Sequence, residues 1–161
     1  MNNDTPQRSL IVWVLIILQF LLGVGAAISG GFLILAPDGH LMQMPLDMLA
    51  NTPFSNFLFP GILLFTFMGI YPLAVAYSLF ARPLWSWPDR VNPFKNMYWA
   101  WTASLAAGVA LLIWIVTQMV MLNAVAFLHT LYICWGITII ILTLYPSVRQ
   151  SYKHWPYKKM Y

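Results

Sequence analysis

Few ionisable side chains lie outside the segments of this chain that contain lysine and arginine, and those few lie in two places. Asp38, His40 and Asp47 lie between residues 36 and 51, and His129 lies far along the sequence. If folding brings the two places together, two imidazoles and two carboxylates would share one site, and histidine would titrate near neutral pH. Such a set could carry out acid–base chemistry, with His129 and a carboxylate as the acid and the base.

A structural role is the simpler interpretation of the same residues. Aspartate in a turn commonly bonds its own backbone, and polar side chains beside apolar segments commonly bond their neighbours. Gln19, Gln118 and Tyr132 could likewise contact a ligand or form hydrogen bonds between helices. No two candidate metal ligands have an i, i+4 or Cys-x-x-Cys spacing, so neither a metal nor another cofactor is expected.

The composition indicates an integral membrane protein with a single domain, residues 1–161. The chain is 61% hydrophobic and 7% charged, and its mean hydropathy is +0.74. Its net charge of +4 could suit nucleic acid. However, no basic stripe with interleaved aromatic residues lies on a polar segment, so nucleic acid is not an expected partner. The positive residues flank apolar runs, which makes lipid headgroups the expected partners.

Four apolar segments are each long enough to cross the hydrocarbon core, which takes about 20 residues. They span about residues 10–35, 57–80, 98–120 and 125–145. Backbone groups in lipid must be satisfied within the segment, so each is expected to be a helix. The sequence therefore predicts an all-α fold, a four-helix transmembrane bundle.

The distribution of lysine and arginine predicts the orientation of the bundle. In a four-span protein the N-terminal tail, the second connection and the C-terminal tail share one side, and positive residues favour the cytoplasm. Both termini are therefore predicted to be cytoplasmic. The residues concerned are Arg8, Arg82, Arg90, Lys95, Arg149, Lys153, Lys158 and Lys159.

Small and polar residues recur at helical spacing in each span, and we expect these four stripes to face one another. Pro60 and Pro72 should disturb the second span, since each removes a backbone hydrogen bond. Gln118 and His129 fall nearest the side opposite the termini, so interior polarity should increase towards that side. The stripes are Gln19, Gly23, Ala26 and Gly30; Thr66, Gly69 and Ala76; Ser104, Gly108, Ile115 and Gln118; and His129, Tyr132, Gly136 and Thr143.

The connection between the first two spans should be a structured outer loop that covers the bundle. Residues 36–39, Ala-Pro-Asp-Gly, have the order of a turn that ends the first span. After Pro45, apolar residues at i, i+3, i+4 and i+7 predict a short amphipathic helix in the membrane interface. Thr52 and Pro53 have the character of an N-cap and a first helical residue, so they are expected to begin the second span.

Residues 30–73 carry a pattern that resembles a family of uncharacterised small four-span bacterial membrane proteins. The pattern combines two glycines, a Pro-Asp-Gly turn, a Met-Pro, a leucine before Thr-Pro-Phe, and a Pro-Gly that opens the next helix. The resemblance implies a bacterial inner-membrane protein with this topology, and it implies no particular activity. The matching residues are Gly30, Gly31, Pro37, Asp38, Gly39, Met44, Pro45, Leu49, Thr52, Pro53, Phe54, Pro60 and Gly61.

Two functional hypotheses follow. The first is a membrane protein that binds a lipid-like or hydrophobic ligand, or that is a subunit of a membrane complex or a homo-oligomer. The second is a membrane enzyme or carrier for a hydrophobic substrate, with His129 and a loop carboxylate as acid and base. No Asp, Glu, Lys or Arg lies within a predicted span. That absence argues against an ion channel or a proton-coupled pump, which place such groups at mid-membrane.

Overall fold

The computed structural model describes residues 8–123 and 126–153, and over these ranges the chain is helical, without a β-strand. Four helices are long and apolar enough to cross a membrane: Leu10–Leu35, Leu58–Ala81, Trp99–Leu122 and Phe127–Leu144. We call them the first to fourth spans. The prediction of an all-α, four-span bundle is confirmed, and every predicted boundary lies within two residues of the observed one.

The spans form two antiparallel hairpins, the first with the second and the third with the fourth, and the hairpins pack side by side. Glycines make the closest backbone approaches. A Cβ atom at Gly30 would lie 2.6 Å from the backbone nitrogen of Phe65, and one at Gly108 would lie 3.1 Å from the carbonyl oxygen of Gly136. Small residues at these positions therefore let the backbones touch, which is how helices associate where lipid weakens the hydrophobic drive.

Most of the predicted stripes face the interior, but not all of their members do. Those of the first span are buried, as are the glycines of the third and fourth spans. Thr66 is exposed, and Gln118, His129 and Tyr132 are only half-buried. The fully buried polar side chains, which include Gln19, Ser104 and Thr143, instead lie nearer the end that carries the described termini. Interior polarity thus increases in the direction opposite to the one expected.

A π-helical segment, Leu64–Ile70, interrupts the second span between Pro60 and Pro72. The N–H of Tyr71 donates to the carbonyl oxygen of Thr66, five residues earlier. Pro72 has no N–H to donate and its ring crowds the preceding turn, so a wider turn before it relieves the conflict. The wider turn also shifts the helical register, which explains why Thr66 leaves the buried stripe.

One end of the bundle carries all the described lysines and arginines, and we call it the basic end. Two short helices, Ser86–Val91 and Pro146–Tyr152, cover it. The backbone N–H of Tyr98 donates to the carbonyl oxygen of Tyr152 over 2.9 Å, which joins the start of the third span to the last short helix. Lys158 and Lys159, which entered the orientation argument, lie outside the described residues.

The opposite end, the loop end, is covered by residues 36–57. Two short 3₁₀ turns stand there, His40–Met42 and Leu46–Leu49. The predicted amphipathic helix is thus a single 3₁₀ turn, in which only Leu49 is buried. The second span begins at Leu58 rather than at Thr52, because the Thr52 hydroxyl closes a turn: it donates to the Leu49 carbonyl oxygen and accepts the Phe54 N–H.

Candidate functional site

A tight turn at Gly39 folds the loop back over the end of the first span. Gly39 has φ of +80°, a conformation that costs glycine little. A Cβ atom there would lie 2.2 Å from the carbonyl oxygen of Met44 and 2.9 Å from the ring of Phe57. The N–H of Phe57 donates to the carbonyl oxygen of Pro37 over 2.8 Å. Only glycine therefore lets the turn hold both Met44 and Phe57 against the bundle.

The folded loop has a small apolar core of its own. Leu33 from the first span, Leu49 and Phe57 are buried together, and Phe57 is only 2% exposed. The 3₁₀ turn at Leu46–Leu49 also contacts the third span. The loop thus bridges the two hairpins instead of lying loosely over one of them.

Beneath the loop, between the second and third spans, lies an apolar cavity of about 170 Å³. The loop provides one wall, and the first turns of the second span and the last turns of the third span provide the others. The lining residues are Leu33, Met44, Leu49, Thr52, Phe54, Phe57, Pro60, Leu63, Leu64, Trp114, Thr117, Gln118, Met121 and Leu122. Leu64 is the first residue of the π segment, and such interruptions occur often at functional sites.

Among the lining residues, Gln118 offers an uncommitted amide. The hydroxyl groups of Thr52 and Thr117 are already bonded to the carbonyl oxygens of Leu49 and Ile113. Gln118 forms no hydrogen bond with any residue in the described ranges. An otherwise hydrocarbon-like cavity therefore presents one amide that can both donate and accept.

The cavity lies at the depth of the lipid tails. Thr117, an exposed lining residue, is five residues before the end of the third span, or about 7.5 Å along its axis. Leu64 is a similar distance, about 9 Å, inside the second span. A partly open cavity at this depth would meet hydrocarbon more readily than water.

The carboxylate and imidazole of the loop pair with each other. The Nδ1 atom of His40 lies 2.6 Å from an oxygen of Asp38, which also accepts the backbone N–H of His40. These hydrogen bonds hold the pKa of the Asp38 carboxyl below its ordinary value. Both side chains are more than 60% exposed, and Asp47 is exposed as well. None of the three lines the cavity.

The side chain of His129 forms a hydrogen bond at the start of the fourth span. Its Nδ1 atom accepts the backbone N–H of Ala126 over 3.0 Å, so the side chain caps its own helix. Within residues 8–123 and 126–153, no hydrogen bond or ion pair joins His129 to Asp38 or Asp47. The same ranges contain no group of three or more side chains that could hold a metal ion.

Among the predicted ligand contacts, the structure places only Gln118 in the cavity wall. Tyr132 packs beside Trp135, with 6.2 Å between ring centroids, and neither residue lines the cavity. Gln19 is fully buried towards the basic end, where its Nε2 donates to the hydroxyl of Ser104 over 3.0 Å. Ser104 in turn bonds Thr143 over 2.9 Å, so Gln19 ties three spans together.

The remaining lining residues are apolar side chains, two threonines and a tryptophan, none of which is ionisable near neutral pH. The sequence pattern of residues 30–73 nevertheless contained a signal. Its Met44, Leu49, Thr52, Phe54 and Pro60 line the cavity. Its glycines at 30, 39 and 61 are points of close backbone approach around the cavity. The pattern therefore marks residues that pack the loop and the cavity wall beneath it.

Comparison with protein-family models, with curated proteins and with solved structures finds no match to this chain. The geometry of the loop-end cavity is therefore the basis for assigning a function.

Proposed function

We propose that this multi-pass membrane protein binds one hydrocarbon segment of a lipid-like molecule in the loop-end cavity. The observation that carries the proposal is the cavity itself, which is about 170 Å³ and almost entirely apolar. An engineered apolar cavity of roughly this size, about 150 Å³, stays dry and binds benzene. A chain segment of about six carbons is therefore the size of occupant that fits.

The energetics favour an occupied cavity. Residual cavity volume in a protein core costs about 24 cal/mol per Å³, so a closed void of 170 Å³ would cost about 4 kcal/mol. This figure is an upper value because the cavity is partly open. A lipid tail in the cavity would recover the lost contacts.

The position of Gln118 supports a ligand that carries a polar group next to its hydrocarbon. An amide half-buried among apolar residues gains from a hydrogen bond, because water reaches it poorly. A hydroxyl, ester or amide of the ligand could provide that bond. A catalytic role for His129 has no comparable geometric support among the described residues, since no hydrogen bond or ion pair joins it to Asp38 or Asp47 there.

We propose that the basic end lies in the cytoplasm, which the charge distribution supports, and that the membrane is a bacterial inner membrane, which the resemblance of residues 30–73 implies. Six described lysines and arginines lie at the basic end. The loop end carries aspartates and histidines but no lysine or arginine. Positive residues in short connections favour the cytoplasmic side. The cavity would then lie in the leaflet away from the cytoplasm.

Native mass spectrometry of the detergent-purified full chain tests the proposal. At an activation energy that strips loosely bound lipid, the wild type should keep one lipid or fatty-acid mass. The substitution Thr117→Trp places a large side chain in the cavity wall and should remove that mass. Thr138→Trp is a matched control, because both threonines are exposed and both bond the carbonyl oxygen four residues earlier, but only Thr117 lines the cavity.

Two results would overturn the proposal: a wild type that keeps no lipid, or a Thr117→Trp variant that keeps as much as Thr138→Trp. Circular dichroism shows whether each variant folds. If Thr117→Trp does not fold, Leu63→Trp fills the same cavity from the second span and takes its place.

A further inference from the structure

Two polar side chains of the loop-end cavity lie one helical turn apart on the third span. Trp114 and Gln118 both line the cavity. Their spacing of four residues places them on the same face of the helix, about 6 Å apart along its axis. Side chains in a helix lean towards its N-terminus, so Gln118 leans towards Trp114. The two side chains are therefore neighbours in one wall of the cavity.

Neither polar group is used within the described part of the protein. The indole nitrogen of Trp114, like the amide of Gln118, forms no hydrogen bond with another residue there. Both side chains are half-buried, and neither polar group is enclosed in the way that the indole nitrogen of Trp135 is. A ligand can therefore reach both groups. Together they offer three N–H donors and one carbonyl oxygen.

The described cavity wall holds no charge that could pair with a charged ligand. None of its side chains ionises near neutral pH. An ionised group without a partner among apolar residues changes its protonation state rather than stay charged. We therefore expect a ligand whose polar group is neutral when bound. The titratable side chains in the loop and in the nearer half of the fourth span, none of which lines the cavity, are Asp38, His40, Asp47, His129, Tyr132 and Cys134.

A protonated carboxyl group complements the two side chains. Its O–H can donate to the amide oxygen of Gln118 while its carbonyl oxygen accepts an N–H of the same amide, which gives two parallel hydrogen bonds. The second lone pair of that carbonyl oxygen can accept the indole N–H of Trp114. An ester has no hydrogen to donate. The single oxygen of an alcohol cannot form both bonds to one amide with good angles.

We propose that the loop-end cavity selects fatty acids and binds them in the protonated form through Gln118 and Trp114. The proposal rests on the proposed function and names the class of its ligand. The hydrocarbon chain lies in the apolar remainder of the cavity, which includes Met44 and Leu49 of the loop. Because only the neutral acid fits, an ionised acid must take up a proton as it binds. The affinity for a fatty acid therefore falls as the pH rises.

Binding to the detergent-purified full chain compares three probes with the same hydrocarbon chain: octanoic acid, octanamide and methyl octanoate. Octanamide donates and accepts at every pH, so it should bind equally at about pH 5 and about pH 7. Octanoic acid should bind up to about tenfold more weakly for each pH unit above its own pKa, because the neutral fraction falls by that factor. Methyl octanoate cannot donate, so it should bind about tenfold more weakly than octanamide at both pH values.

Two variants identify the side chains that recognise the carboxyl group. Gln118→Leu removes the amide, so it should weaken octanamide binding about tenfold and abolish the preference over methyl octanoate. Trp114→Phe keeps an aromatic ring but removes the N–H, so it should weaken both probes alike, by about three- to tenfold. Trp135→Phe is the matched control, because Trp135 is half-buried and does not line the cavity. It should leave binding within about twofold of the wild type.

Equal binding of the three probes would overturn the carboxyl assignment, as would a pH-independent affinity for octanoic acid or an equal loss in Trp135→Phe. Thr117→Trp separates this failure from failure of the proposed function. If it abolishes a binding that does not distinguish the probes, the cavity holds hydrocarbon and only the carboxyl assignment is wrong. If no probe binds in a way that depends on Thr117, both proposals are wrong. If Gln118→Leu does not fold, Trp114→Phe takes its place.

Discussion

Asp38 and His40 were among the residues whose types suggested acid–base chemistry, and their side chains pair with each other. Their side chains meet across Gly39, whose left-handed conformation brings residues on either side of it to one face of the turn. A pair two residues apart can form from local geometry alone. The longer-range meeting with His129 required the loop to reach the fourth span, whereas its two 3₁₀ turns contact the first and third spans.

The Asp38–His40 pair should give the loop a measurable acid dependence. The pKa of Asp38 is lower in the folded protein than in an unfolded chain, so its contribution to stability is complete above about pH 3.8. That contribution is lost as the pH falls through the folded-state pKa. Carbon-13 NMR of the Asp38 carboxyl should show the depressed value, and His40→Gln should raise it towards the unfolded value. An Asp38 pKa that is unchanged in His40→Gln would contradict the pairing.

Gln19 illustrates what the sequence could say about a single residue. A glutamine on the small-residue stripe of an apolar helix was expected to bond another helix, and its Nε2 does so with Ser104. The identity of the partner depended on the relative heights of the first and third spans, which spacing alone does not give. Its Oε1 is buried and has no hydrogen-bond partner among the residues that the structure describes. Such interhelical bonds contribute about 0.6 kcal/mol on average, so Gln19 orients the spans more than it stabilises them.

At the scale of elements, the spans were predictable and the loop was not. Hydropathy fixes span positions because unsatisfied backbone groups are so costly in lipid. The residues between Pro45 and Leu58 face competing demands, since Thr52 can cap a helix or close a turn. The turn prevails because Phe54 and Phe57 must reach the cavity wall and the loop core before the helix begins. That is a tertiary requirement, which local pattern cannot reveal.

Adjacent glycines in the first span provide a direct test of helix packing. A Cβ atom at Gly30 would lie 2.6 Å from the Phe65 nitrogen, whereas one at Gly31 would meet nothing within 4 Å. Gly30→Ala should therefore lower the free energy of unfolding by about 1–3 kcal/mol, the usual cost of overpacking. Gly31→Ala should raise it by up to about 1 kcal/mol, since alanine favours the helix.

Thermal or denaturant unfolding in detergent, followed by circular dichroism, measures both glycine variants on one scale. The comparison is internally controlled because the two positions share a helix, a membrane depth and a substitution. Equal stability of the two variants would show that the first and second spans do not touch at Gly30.

At the scale of the whole molecule, the two ends of the bundle differ in how they are held. At the basic end, the hydroxyls of Tyr98 and Tyr152 donate to carbonyl oxygens of Pro83 and Leu79, each over 2.7 Å. Burial raises the pKa of both hydroxyls, so they remain donors. At the loop end, the bundle interior gives way to the apolar cavity between the second and third spans. A firm base with a cavity beneath the loop at the opposite end suits a protein that binds a hydrophobic ligand.

Photocrosslinking inside the membrane tests the central claim most directly. Cells that produce the full chain are fed a fatty acid with a diazirine near the end of its chain, irradiated, and the crosslinked residues are mapped by mass spectrometry. We expect crosslinks concentrated at Met44, Trp114 and Met121, reduced in Thr117→Trp and retained in Thr138→Trp. Crosslinks spread evenly over outward-facing residues such as Phe20, Ile28 and Ile141, with no excess in the cavity, would contradict the account.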